Sequence, residues 1–68
     1  MWNIEIGSTV KAVKNRSRFM QPEPHLVGAI GRVTYRLVDG AGAYYVVEFD
    51  FGDSPEFDYL CENCLEVL

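Results

Sequence analysis

Sixty-eight residues with a net charge of −4, 49% hydrophobic and 24% charged, make one small globular domain rather than a disordered chain. A chain of this length buries only about 60% of the surface its unfolded form exposes, which leaves little room for a substrate cavity beside a core and disfavours a self-contained monomeric enzyme. No apolar run approaches the roughly 18 residues needed to cross a bilayer, and residues 1–6 have neither a basic nor an apolar leader region, so the chain reads as soluble and cytoplasmic.

The net charge hides a segregation. Lys11, Lys14, Arg16, Arg18, Arg32 and Arg36 all precede residue 37 and, against Glu5 and Glu23, give that half a net +4. Residues 37–68 contain eight carboxylates and no cation, a net −8. Polynucleotide binders draw most of their non-specific affinity from cations that displace counterions from phosphates, whereas a carboxylate-rich half steers the molecule towards basic protein surfaces.

In chain order, apolar residues recur at spacing two and predict strands throughout. Ile4 and Ile6 flank Glu5, and after Gly7-Ser8 residues 9–14 alternate as a first full strand. Residues 15–28 lose the pattern; Pro22 and Pro24 cannot donate to a ladder, and this stretch predicts a long loop. Residues 30–37 resume it, with Val33, Tyr35 and Leu37 expected on the core side and Arg32, Thr34 and Arg36 opposite. Asp39-Gly40-Ala41-Gly42-Ala43 is a hairpin connection. Residues 44–50 form the strongest strand, with Tyr45, Val47 and Phe49 on one side and Val46, Glu48 and Asp50 on the other. A Gly-Pro turn over residues 51–55, a strand over 56–60, a single 3-10 turn over 61–64 and a last strand over 65–68 complete the chain. Five short strands, one long early loop and a late 3-10 turn predict a single all-β domain over residues 1–68, a small closed or nearly closed barrel.

Several runs resemble the SH3-like small barrels and their KOW-type members. Ile6-Gly7-Ser8-Thr9-Val10-Lys11 resembles their opening turn and first strand, and Gly28-Ala29-Ile30-Gly31-Arg32-Val33 the start of their second. Tyr45-Val46-Val47-Glu48-Phe49-Asp50-Phe51-Gly52 is similar to their third strand and turn, and Glu62-Asn63-Cys64-Leu65-Glu66-Val67 to their terminal 3-10 turn and strand. The resemblance implies a five-stranded SH3-like barrel and a binding role. Members of this kind contact RNA, dock on larger proteins as accessory subunits, or are compact phage and bacterial proteins, and fold does not fix which.

Candidate chemistry is sparse. Cys61-Glu62-Asn63-Cys64 is a C-x-x-C whose only further soft side chain is His25, so Cys61, Cys64 and His25 are weak metal candidates; a thioredoxin-like redox pair would sit at a helix start beside a βαβ pattern, neither of which the sequence offers, and packing of the two thiols in a tight turn is the simpler reading. No nucleophile, base and orienting group form a catalytic set, and no cofactor is expected. Asn15-Arg16-Ser17 fits the glycosylation pattern, which has meaning only on a secreted chain. Nine aromatic residues exceed what so small a core holds. Tyr45, Phe49 and Phe57 are expected inside; Trp2, Phe19, Tyr44, Phe51 and Tyr59 are candidate exposed anchors. The leading expectation is a non-enzymatic protein-binding module, an inhibitor of phage type or an accessory subunit. It would dock on a basic surface through Tyr44, Glu48, Asp50, Phe51, Asp53, Glu56, Asp58 and Tyr59. The alternative is KOW-like nucleic-acid binding through Lys11, Lys14, Arg16, Arg18, Arg32 and Arg36; self-association of the oppositely charged halves as a homodimer is a third reading.

Overall fold

Alternating apolar positions can share one core only if every strand turns the same side inward, and the chain meets this with one antiparallel sheet. The structure, a computed structural model, describes residues 2–15, 20–40 and 42–68. Its strands are β1 (Thr9–Ala12), β2 (Ile30–Asp39), β3 (Gly42–Asp50), β4 (Pro55–Leu60) and β5 (Leu65–Val67). They lie in the order β4-β3-β2-β1-β5, every neighbouring pair antiparallel. β4 and β5 are the two edges, so the hydrogen-bonded sheet is open between them. Among the described residues there is no α-helix, and no helix is long and apolar enough to cross a membrane.

The inner face is built as the alternation predicts on β3, where Tyr45, Val47 and Phe49 are buried. Val10 and Ala12 from β1, Val33 from β2, Leu60 from β4 and Leu65 from β5 meet them, with Ile4, Leu26 and Cys64 closing the ends. Burial of these side chains, worth about 1.5 to 3 kcal/mol for each large one, is the main favourable contribution to folding. At Gly31 the backbone leaves no room for a side chain: a Cβ there would lie 2.6 Å from the Glu48 carbonyl oxygen, so only glycine fits.

Three expectations are corrected. β1 stops at Ala12 rather than residue 14, because the backbone there leaves the ladder: Val13 N donates to Cys64 O (2.8 Å), and Ala12 O accepts from Gly28 N (2.7 Å). The long loop is not structureless. Pro24, with its φ preset for a first helical position, opens a 3-10 turn (Pro24–Leu26) that delivers Leu26 to the core, fully buried. The segment before β1 is a turn, with Ser8 N donating to Glu5 O; Ile4 is buried and Ile6 exposed. The hairpin is tighter than expected, since Asp39 pairs directly with Gly42; Ala41 lies outside the described residues.

The most consequential correction lies in β2. The register runs Val33 to Val47 and then Tyr35 to Val46, so Thr34 is an extra residue in the strand, a β-bulge. Its side chain donates to the Val46 carbonyl (3.2 Å). Beyond a bulge the alternation changes sides, and Tyr35, expected in the core, is 60% exposed on the outer face. Arg36 therefore faces inward, opposite Tyr45, where its guanidinium lies 5.4 Å over the ring of Trp2. Trp2, a candidate exposed anchor, is instead half-buried, edge-on to Tyr45 at 5.3 Å.

Candidate functional site

Cross-strand pairing places a row of side chains on the outer face of β2, β3 and β4. Val46 stands between Tyr35 on β2 and Tyr59 on β4; in the adjoining row Glu48 stands between Arg32 and Phe57. Phe57, expected in the core, is 54% exposed, and Tyr59 is 59% exposed. On β4 the inward positions are Glu56, opposite Phe49, and Asp58, opposite Val47, so the two rings between and after them must face out. Carboxylates turned inward on an edge strand discourage another chain from adding to it. Tyr44, opposite Leu37, extends the same outer face with partial exposure. The result is an apolar, largely aromatic surface on the three-stranded meander, uncovered by any part of the described chain.

The residues expected to meet a partner divide into three groups. Tyr44, Glu48 and Tyr59 share the outer face, and Asp50 ends β3 on the same side. Phe51 and Asp53 occupy the β3–β4 turn, both exposed. That turn is ordered by Asp50, whose Oδ1 accepts from Gly52 N at 2.8 Å, and by Gly52 at φ +94°, a conformation open to glycine. Phe51 stacks on buried Phe49 (6.5 Å, 19° between planes) and approaches the His25 ring. Glu56 and Asp58 do not join the face. Glu56 Oε2 is 2.7 Å from His25 Nε2, and Asp58 Oδ1 accepts from the Tyr59 backbone N–H. Beside Arg32, Glu48 and Asp50 the outer face dips into a depression of about 360 Å³ floored by Gly31 and edged by Ile30.

Among the described residues the candidate cations are divided between the two faces of the sheet and the long loop. Lys11 and Arg32 belong to the outer face of β1 and β2, Arg36 covers Trp2 on the inner side, and exposed Lys14 begins the long loop. Arg16 and Arg18 lie outside the described residues, as does Phe19. His25, engaged by Glu56 and Phe51, stands apart from the cysteines as a ligand, and among the described residues no group of three or more His, Cys, Asp or Glu could hold a metal ion.

The cysteines form their own small site. A 3-10 turn (Glu62–Cys64) capped by Cys61 brings the two Sγ atoms to 3.5 Å. Asn15, buried, donates from Nδ2 to Met20 O (2.9 Å) and Cys61 Sγ (3.4 Å), while Cys64 Sγ donates to Met20 O (3.4 Å). Burial, reinforced by the Cys61 side chain, pushes the Cys64 thiol from its ordinary 9.0 up to about 12.

No family model, no curated protein and no solved structure matches the chain. The class that fold and site define is thus an all-β domain of five antiparallel strands carrying an exposed aromatic face and a vicinal thiol pair.

Proposed function

We propose that the chain is a non-enzymatic protein-docking module, an accessory subunit or inhibitor whose sheet curls as in the SH3-like barrels. It seats the outer face of β2–β3–β4 on a basic surface of a larger protein. The strand order β4-β3-β2-β1-β5, with a 3-10 turn leading into the last strand, supports the SH3-like reading. The observation that carries the docking reading is the pair Tyr35 and Tyr59 standing exposed on either side of Val46, with exposed Phe57 beside Glu48 in the adjoining row and Asp50 and Asp53 at the border. Aromatic side chains bury large areas at little entropic cost and concentrate binding energy, while bordering carboxylates select a cationic partner and speed encounter.

The test is an NMR titration of the labelled chain with a lysine-rich peptide containing one aromatic residue, at low and high salt. Shifts confined to residues 35, 46, 48, 57 and 59, weaker at high salt, are expected; Tyr59→Ala should remove them without unfolding the chain. A titration with a single-stranded oligonucleotide that instead moves Lys11, Lys14, Arg32 and residues 16–18 would replace this reading with the nucleic-acid one.

A further inference from the structure

The thiol pair has no part in the docking face, yet its geometry is that of a reactive site. We propose that Cys61 and Cys64 are a dithiol that exchanges with small disulfide-bearing molecules, Cys61 being the attacking thiol and Cys64 the resolving one. The Sγ atoms are already 3.5 Å apart, and a disulfide bond of about 2.0 Å needs only about 1.5 Å of further approach, within the reach of side-chain rotation. The turn that sets this spacing is held by its own backbone bonds, Cys64 N to Cys61 O (3.0 Å) and Leu65 N to Glu62 O, so the backbone need not rebuild. The sulfurs differ in access: Cys61 is partly exposed and Cys64 sealed, which assigns the order of attack.

The exchange balances without any further reagent. Cys61 loses its proton to water, and its thiolate attacks one sulfur of a small disulfide. That S–S bond breaks, one thiolate leaves, and a mixed disulfide forms on Cys61. Cys64 gives up its proton to the first departed thiolate and attacks Cys61 Sγ; the mixed disulfide breaks, and the second thiolate departs and takes a proton from water, replacing the one Cys61 gave up. The protein is oxidised by two electrons, and the small disulfide is reduced to two thiols. The Cys64 S–H no longer donates to Met20 O, which keeps the Asn15 amide as donor.

Equilibration of the intact chain with oxidised and reduced glutathione, followed by acid quench, alkylation and mass spectrometry, tests this. A monomer lacking two hydrogens is expected, with the mixed disulfide only transient. Its equilibrium constant should exceed that of the chain unfolded in urea by about tenfold, because the fold holds the sulfurs together. Cys64→Ala should retain glutathione on Cys61. The proposal is overturned if the wild-type chain keeps both thiols alkylatable in excess oxidised glutathione, accumulates a lasting mixed disulfide, or shows a constant no larger than that of the unfolded chain. None of these readings depends on a variant folding.

Discussion

Tyr45 is where the amino-terminal segment is fastened. Its ring is buried on the inner face against Trp2, and its hydroxyl oxygen accepts from the backbone N–H groups of both Asn3 and Ile4, each at 3.1 Å. Tyr45→Phe keeps the ring and strands both donors, so a loss of about 1 to 3 kcal/mol is expected by urea unfolding, more than removing an exposed tyrosine would cost. Gly31 is a steric requirement: its missing Cβ would collide with backbone at Glu48 O, which cannot swing aside as a side chain could. Gly31→Ala should cost about 1 to 3 kcal/mol in the same assay and broaden the amide signals of β2 and β3. Cys64 supplies a pH dependence. Its thiol is raised from 9.0 to about 12, so the folded state prefers the neutral form; that preference adds stability in full below pH 9.0 and is lost as pH rises towards about 12. Wild type should therefore lose stability across this window more steeply than Cys64→Ala, in which the thiol is gone; parallel curves would count against the assignment.

At the scale of elements, what the alternation could reveal stops where a strand meets an irregularity or an edge. β3 is an interior strand of the sheet, and there the pattern reads correctly, with Tyr45, Val47 and Phe49 inside. β2 reads correctly only as far as Val33, because a bulge at Thr34 has no residue signature and reverses every side chain after it. On β4 the apolar residues look like a core stripe, yet the strand is an edge whose inward positions carry Glu56 and Asp58, so Phe57 faces out. Both errors concern the same surface. Half of the aromatic face was visible as Tyr44 and Tyr59; Tyr35 and Phe57 were hidden by the assumption that apolar residues of a regular strand point to the core. The His25–Glu56 pair is how β4 meets the long loop, an interaction no local pattern reveals. Both side chains are substantially exposed, so Glu56→Gln should cost less than about 1 kcal/mol at neutral pH and less still at high salt. A larger loss would mean that the pair anchors the 3-10 turn bearing Leu26.

At the scale of the whole molecule, the exposed rings and the net charge act against each other. Ile30, Tyr35, Phe57 and Tyr59 leave an apolar surface open on one side of a domain only 33 × 23 × 21 Å in extent, and such a surface associates unless something holds copies apart. At neutral pH a net charge of −4 supplies that repulsion. As pH falls towards the isoelectric point near 4.7, the repulsion fades while the apolar surface is unchanged. Light scattering at low salt should therefore rise as pH is lowered to about 4.7 and fall again below it, with circular dichroism steady over the rise. Tyr35→Ser combined with Tyr59→Ser alters neither net charge nor core, so it should keep the same charge profile but lose most of the scattering. Equal scattering by the double variant would place the sticky surface elsewhere, and with it the centre of any docking interface.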